Sequence, residues 1–159
     1  MKLYFLRHGL AGDRTRWPGD DFDRPLTDEG KDRIAREAVT IAHLELGLEV
    51  VMTSPLVRAF QTAEIVARKL NLLDKLVKDE RLGPGFSAPH VPKILAAHAK
   101  ANAVMLVGHE PSFSEAISYL IGGGRVVCKK GSLACVDLED ASSLRGKLLW
   151  LLQPKVLAR

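Results

Sequence analysis

The sequence predicts a three-layer α/β domain, a mostly parallel sheet with helices on both faces, and three observations carry that reading. Short apolar runs alternate with longer segments of helical spacing along the whole chain. The run from Ala103 to Val107 is apolar throughout, as a central strand covered on both faces must be. Polar signatures, Arg7-His8-Gly9, Ser54-Pro55 with Arg58, and Gly108-His109-Glu110, each begin where a predicted strand ends. A length of 159 residues with 47% apolar content fills one sizeable core, so residues 1–159 are read as a single domain.

Taken in order, Lys2 to Leu6 forms a short buried strand, and Arg7 to Pro25, rich in Gly, Pro, Asp and Arg without periodicity, forms a long loop. Thr27 followed by Asp28 and Glu29 reads as a helix start, and Ile34, Ala38, Ile41, Ala42 and Leu46 recur at helical spacing. That helix runs from about Asp28 to Leu46, with Gly47 closing it. Val50 to Thr53 is the second strand. Ser54-Pro55 opens a second helix that turns Ala59, Ala63, Val66 and Leu70 inward. Leu76 to Lys78 is a weakly signalled third strand, Gly83 to Pro89 a loop, and Val91 to Ala101 a helix. After the apolar strand, Pro111 to Leu120 is helical and Gly122-Gly123-Gly124 ends it. Leu133 to Leu138 and Leu148 to Leu152 follow as late strands that can pair with each other.

Composition removes several function classes. The apolar run Leu3 to Leu6 stops at Arg7, far short of the roughly 7 to 15 residues of a signal peptide, and no membrane span is expected. Two cysteines, Cys128 and Cys135, make neither a disulfide framework nor a metal spacing, so a reduced, cytoplasmic protein is expected. The net charge of +4 is scattered and has no interleaved aromatic residues, which argues against nucleic-acid binding. No cofactor motif is present, and the triple glycine follows a helix where a phosphate cradle would join a strand to one.

In an open parallel sheet, ligands bind in the crevice beyond the carboxyl ends of the strands. The three signatures would bring Arg7, Arg58, His8 and His109 together there. Arginine offers a planar fork that matches phosphate oxygens and never loses its charge at physiological pH. A neutral imidazole supplies a nucleophilic nitrogen, and a protonated one supplies a hydrogen-bond donor. Such a set suffices for phosphoryl transfer to histidine without a metal, because the arginines stabilise the charge often assigned to magnesium. The remaining histidines, His43, His90 and His98, lack the strand-end context and read as surface or packing residues.

Leu6-Arg7-His8-Gly9 resembles the signature of the histidine phosphatase superfamily, also called phosphoglycerate mutase-like. Thr53 to Ala63, with Arg58 at its centre, is similar to the family's second motif, and Val107-Gly108-His109-Glu110-Pro111 to its third. Arg24-Pro25-Leu26-Thr27-Asp28-Glu29-Gly30 resembles the segment before the family's first helix. These motifs stand in the family's order across residues 3 to 120, about three quarters of the chain. The resemblance implies His8 as nucleophile, with Arg7, Arg58 and His109 completing the phosphate pocket. Short length and the tight loop between Gly9 and Arg24 look most like the SixA-type phosphohistidine phosphatase branch.

Family members that cleave phosphate esters carry an acid that protonates the leaving alkoxide. Two positions compete for it: Glu80, where the mutase-like branch has its acid, and Glu110, where the acid-phosphatase branch does; either could instead be a surface carboxylate. An imidazole leaving group needs less help, so a missing acid favours phosphohistidine. The expected substrate is therefore a phosphorylated protein carrying phosphohistidine, and the alternative is a small phosphorylated metabolite such as a sugar phosphate or nucleotide. A phospho-binding module without turnover would not need His8, and a mutase would need a water-excluding lid for which the chain has no segment. A monomer fits the sequence, which does not fix the oligomeric state.

Overall fold

The strand β1 (Lys2–Arg7) supplies side chains to two different cores, which fixes the layering of the whole molecule. Leu3 and Phe5 enter one core, while Tyr4 and Leu6 enter the other. The period-2 alternation of a strand makes this unavoidable once both faces are covered. In the computed structural model, which describes residues 1–158, six strands form one mixed sheet. They are β1, β2 (Val50–Thr53), β3 (Leu76–Lys78), β4 (Ala103–Gly108), β5 (Leu133–Leu138) and β6 (Gly146–Leu152), ordered β3-β2-β4-β1-β5-β6. The first four of that order run parallel; β5 is antiparallel to β1, and β6 to β5.

Helices α1 (Asp28–His43), α2 (Val57–Lys69) and α5 (Pro154–Leu157) cover one face, where Ile34, Ile41, Val66 and Leu157 meet Leu6, Met105 and Val107. The short α3 (Val91–Leu95) and α4 (Ser112–Leu120) cover the other, where Ile94, Leu95, Phe113 and Ile117 meet Phe5, Val104 and Leu106. Each fully buried side chain of this kind contributes about 1.5–3 kcal/mol relative to exposure. Strands β1, β2, β4 and β5 each feed both cores, with β1 and β4 paired at the centre of the sheet. Among the described residues, no helix is long and apolar enough to cross a membrane.

Helix boundaries depart from the periodic reading in three places. The first helix stops at His43, ahead of the expected Leu46, because Glu45 takes a left-handed φ of 47° and turns the chain early. That turn lets Leu46 and Leu48 fold back on the core beneath β2, and Gly47, at φ 64°, completes the reversal. The second helix begins at Val57, two residues after Pro55, and Leu70 only caps its end. The helix expected to reach Ala101 ends at Leu95 and tightens into a 3-10 turn over Ala96–His98, which returns the chain to β4 within a few residues. The weak third strand is real, and the late strands pair with each other as expected, with an irregularity between Cys135 and Val136.

Candidate active site

Register brings the three signatures to one rim. Arg7 pairs with Gly108 across β1 and β4, and the His8 N–H continues the ladder by donating to the Gly108 carbonyl at 3.0 Å. The Ser54 N–H donates to the Val107 carbonyl at 2.9 Å. These backbone bonds place His8, Ser54 and His109 side by side at the carboxyl ends of adjacent strands, the crevice position expected for a ligand site.

His8 is buried at 6% exposure, and its Nδ1 lies 2.8 Å from its neighbour's carbonyl, Gly9 O. A carbonyl can only accept, so Nδ1 carries the hydrogen and Nε2 keeps a free lone pair. Burial first, and the charge of His109 next, hold the imidazole well below its usual pKa, so it is neutral at pH 7. The loop behind it is fastened to α2: Gly9 N–H donates to Thr62 Oγ1 at 3.1 Å, and that hydroxyl donates to the Arg58 carbonyl at 2.8 Å. Gly9 must lack a side chain, because a Cβ there would stand 2.6 Å from Ile34 Cγ1.

The two arginines are held differently. Arg7 Nη1 donates to the Cys128 carbonyl at 2.8 Å, and its Nε is buried with no hydrogen-bond partner. Arg58, in the first turn of α2, gives Nη1 to the Asp21 carbonyl at 2.8 Å and Nη2 to Asp21 Oδ2 at 3.1 Å. Its Nε is also buried and unpaired. Buried N–H groups without partners are uncommon and mark donors awaiting an acceptor.

His109 faces His8 with ring centroids 5.2 Å apart, and its Nε2 shares a 2.7 Å hydrogen bond with Ser54 Oγ. Burial, and after it the Arg58 charge, lower its pKa to about 4. Both rings are therefore neutral while no anion is near. A phosphate dianion favours the charged form of each and lets one ring become a donor.

Of the two carboxylates singled out in the sequence, Glu110 lies nearer to the cluster. It is occupied: its oxygens accept from Ser114 N at 2.9 Å and Ser114 Oγ at 2.6 Å, which caps the first turn of α4. Glu80 is exposed, in a 3-10 turn just past β3, and its carboxylate makes no hydrogen bond or ion pair among the described residues. β3 stands three strands away from β1 in the sheet.

Sequence reasoning missed Asp21 and the site position of Arg24. Asp21 sits in a 3-10 turn within the long loop and joins Arg58 to Arg24, whose Nε is 2.8 Å from Asp21 Oδ1. Burial tends to raise the Asp21 carboxyl, but the Arg24 hydrogen bond and the charge of Arg58 outweigh it and hold the pKa low. Arg24 was visible in its motif. Asp21 had no signal that set it apart from Asp20 and Asp23.

Known proteins resemble this chain in sequence and in fold. The family model described as histidine phosphatase superfamily (branch 1) covers residues 3–83. An uncharacterised protein of Picosynechococcus sp. is 35% identical over 151 residues, covering 84% of this chain and 82% of its own. The phosphohistidine phosphatase SixA of Escherichia coli (strain K12) is 27% identical over 157 residues, covering 97% and 94% of the two chains. A solved structure of the protein histidine phosphatase SixA complexed with tungstate superposes with a TM-score of 0.86 at 27% identity, covering 98% of each chain. With the strand-end histidines and arginines already on one rim, these matches establish that the chain belongs to the histidine phosphatase superfamily, branch 1.

Proposed function

We propose that this phosphatase removes phosphate from phosphohistidine in proteins through a phosphohistidine intermediate on His8. Arg7, Arg58 and His109 hold the phosphoryl oxygens while His8 Nε2 attacks phosphorus. The new Nε2–P bond forms as the P–N bond of the substrate breaks, and the departing imidazole takes up a proton. Water then attacks the phosphorus of phospho-His8, the Nε2–P bond breaks, and phosphate leaves with His8 neutral again. Arginine charge does the work of a metal in both steps, and catalysis is expected to survive chelation.

The observation that carries the substrate assignment is the state of Glu110. Both of its oxygens are committed to Ser114, so it is poorly placed to hand a proton to an alkoxide. Imidazole leaves without that help. The likeness to SixA, a phosphohistidine phosphatase, supports the same reading. The uncommitted carboxylate of Glu80 favours a second reading, hydrolysis of a small phosphate ester.

The two readings separate on the double variant Glu80→Gln with Glu110→Gln, assayed on a phosphohistidine protein and on a sugar phosphate. A positioned general acid contributes about 10² to 10⁴ in rate. With neither carboxylate acting as that acid, we expect the wild type to turn over phosphohistidine far faster than the sugar phosphate, and the double variant to lose less than about tenfold on either. A large, equal loss on both would make the enzyme a general phosphomonoesterase, and a sugar phosphate turned over faster by the wild type would do the same.

A further inference from the structure

The turn Lys129-Lys130-Gly131-Ser132 lies at the mouth of the His8 pocket and is unusually well fastened for a loop between a helix and a strand. Ser132 N donates to the Lys129 carbonyl at 2.8 Å, and Gly131 takes φ 84° at the third position, the pattern of a type II turn. Both sides of the turn are tied to the first signature. Upstream, the Cys128 carbonyl accepts from Arg7 Nη1; downstream, Gly131 N–H is shared between the Arg7 and His8 carbonyls at 3.2 Å each. A side chain at Gly131 is strained, since the φ of 84° is one L residues rarely adopt and a Cβ would press on the buried Glu37 carboxylate at 2.6 Å. The turn is thus rigid, and Lys130 is its exposed corner.

Lys130 has no carboxylate partner: among the described residues it makes no ion pair and no side-chain hydrogen bond, although most charged groups around it do. The charges that reach its ammonium are those of Arg7, Arg24 and Arg58; together with partial desolvation, the larger effect, they lower its pKa. Three like charges gathered on an unpaired lysine are unfavourable unless an anion comes between them. The charge balance says which anion. Arg7, Arg14, Arg24 and Arg58 are opposed by only two carboxylates: Asp21, which pairs with the last three, and Glu110, whose field reaches Arg7. The surplus is positive, as a phosphoryl group carrying about two negative charges requires, and Lys130 adds to it with no carboxylate of its own.

We propose that Lys130 is a further phosphate-binding residue of this site, a flexible cationic arm on a rigid turn that closes over the outer oxygens of the phosphoryl dianion. This rests on the phosphatase reading of the His8 pocket and adds to it a residue that sets affinity. Its place at the corner of the turn leaves the attack geometry at His8 to the buried groups. A lysine on the open side of a site strengthens binding as a point charge, with no fixed fork to align.

The test compares Lys130→Gln, Lys130→Arg and the neighbouring Lys129→Gln, which removes an equal charge from an adjacent exposed position. Steady-state hydrolysis of an aryl phosphate is read as KM and kcat, and inorganic phosphate binding is measured by calorimetry. We expect Lys130→Gln to weaken phosphate binding and raise KM by about fivefold to tenfold with kcat within about twofold, a loss near 1 kcal/mol. Lys130→Arg should stay within about threefold of wild type, and Lys129→Gln should leave both readouts unmoved. Equal effects of the two Gln variants would reduce Lys130 to general surface charge and overturn the proposal. So would a fall in kcat at constant KM, which would mean that the turn matters only for holding His8. Calorimetry separates the two failures: phosphate bound through Lys130 without turnover would sink the phosphatase reading and keep this one, and turnover indifferent to Lys130 would do the reverse.

Discussion

The front and the back of the Gly131 turn bury ionisable groups under opposite rules. In front, His8 and His109 are kept neutral by burial, yet arginines with unpaired N–H groups surround them, so an arriving phosphate dianion has donors waiting. Behind the turn, Glu37 of α1 is fully buried with both oxygens lacking hydrogen bonds; Arg33 Nε, 3.4 Å away, and after it the Arg36 charge, oppose the burial. Burial pushes its pKa up to about 8, with Arg33 opposing weakly. Both regions lose charge through desolvation. A bound anion would recover that cost in front, whereas among the described residues nothing recovers it behind, so the first suits a site and the second lowers stability.

The sharpest way to break that contrast is to remove the nucleophile. His8→Ala should lower turnover by at least about 10⁴, since covalent transfer has no other free imidazole nitrogen pinned by a backbone acceptor as His8 is. Thermal unfolding should barely change, because the ring contributes little apolar burial. Turnover above a few per cent of wild type would remove His8 from the role. Arg58→Lys comes next. It keeps one charge but loses the fork that spans the Asp21 carbonyl and carboxylate, so kcat/KM should fall about 10- to 100-fold with the fold intact. A Lys variant equal to wild type would mean that Arg58 serves only to hold the Asp21 loop.

Most of this front was legible in the sequence, because strand ends and strand-end polar residues follow from periodicity alone. Arg7, His8, Arg58 and His109 could be placed on one rim without coordinates once the sheet was taken as parallel. The helix ends were not legible: Glu45 turns the chain where Gly47 was expected to, and a non-glycine at φ 47° carries no mark in sequence. Asp21 was hidden for another reason, since one of four aspartates in an aperiodic loop acquires meaning only when the loop folds onto Arg58. Glu37 is half legible: on the helical wheel of α1 it falls on the inward stripe with Ile34, Ala38 and Ile41, but the Gly131 turn that packs against its carboxylate carries no mark in sequence.

Glu37 gives the smallest expected effect on activity and the clearest one on stability. Its carboxyl is protonated in the folded protein up to about pH 8 but releases its proton near 4.5 when the chain unfolds. Between those values the unfolded state binds fewer protons than the folded one, so stability must fall as pH rises through that window. The displacement corresponds to at most about 5 kcal/mol, at roughly 1.36 kcal/mol per pKa unit, and local relaxation reduces it. Glu37→Gln keeps the shape and the buried polar group while removing the titration. We expect the variant to match wild type near pH 4.5 and to be more stable by about 2 kcal/mol or more at pH 8, with kcat changed by less than about threefold. Denaturant unfolding across that range decides it: parallel stability curves for the two proteins would show that Glu37 ionises freely, and that water reaches the carboxyl behind the turn.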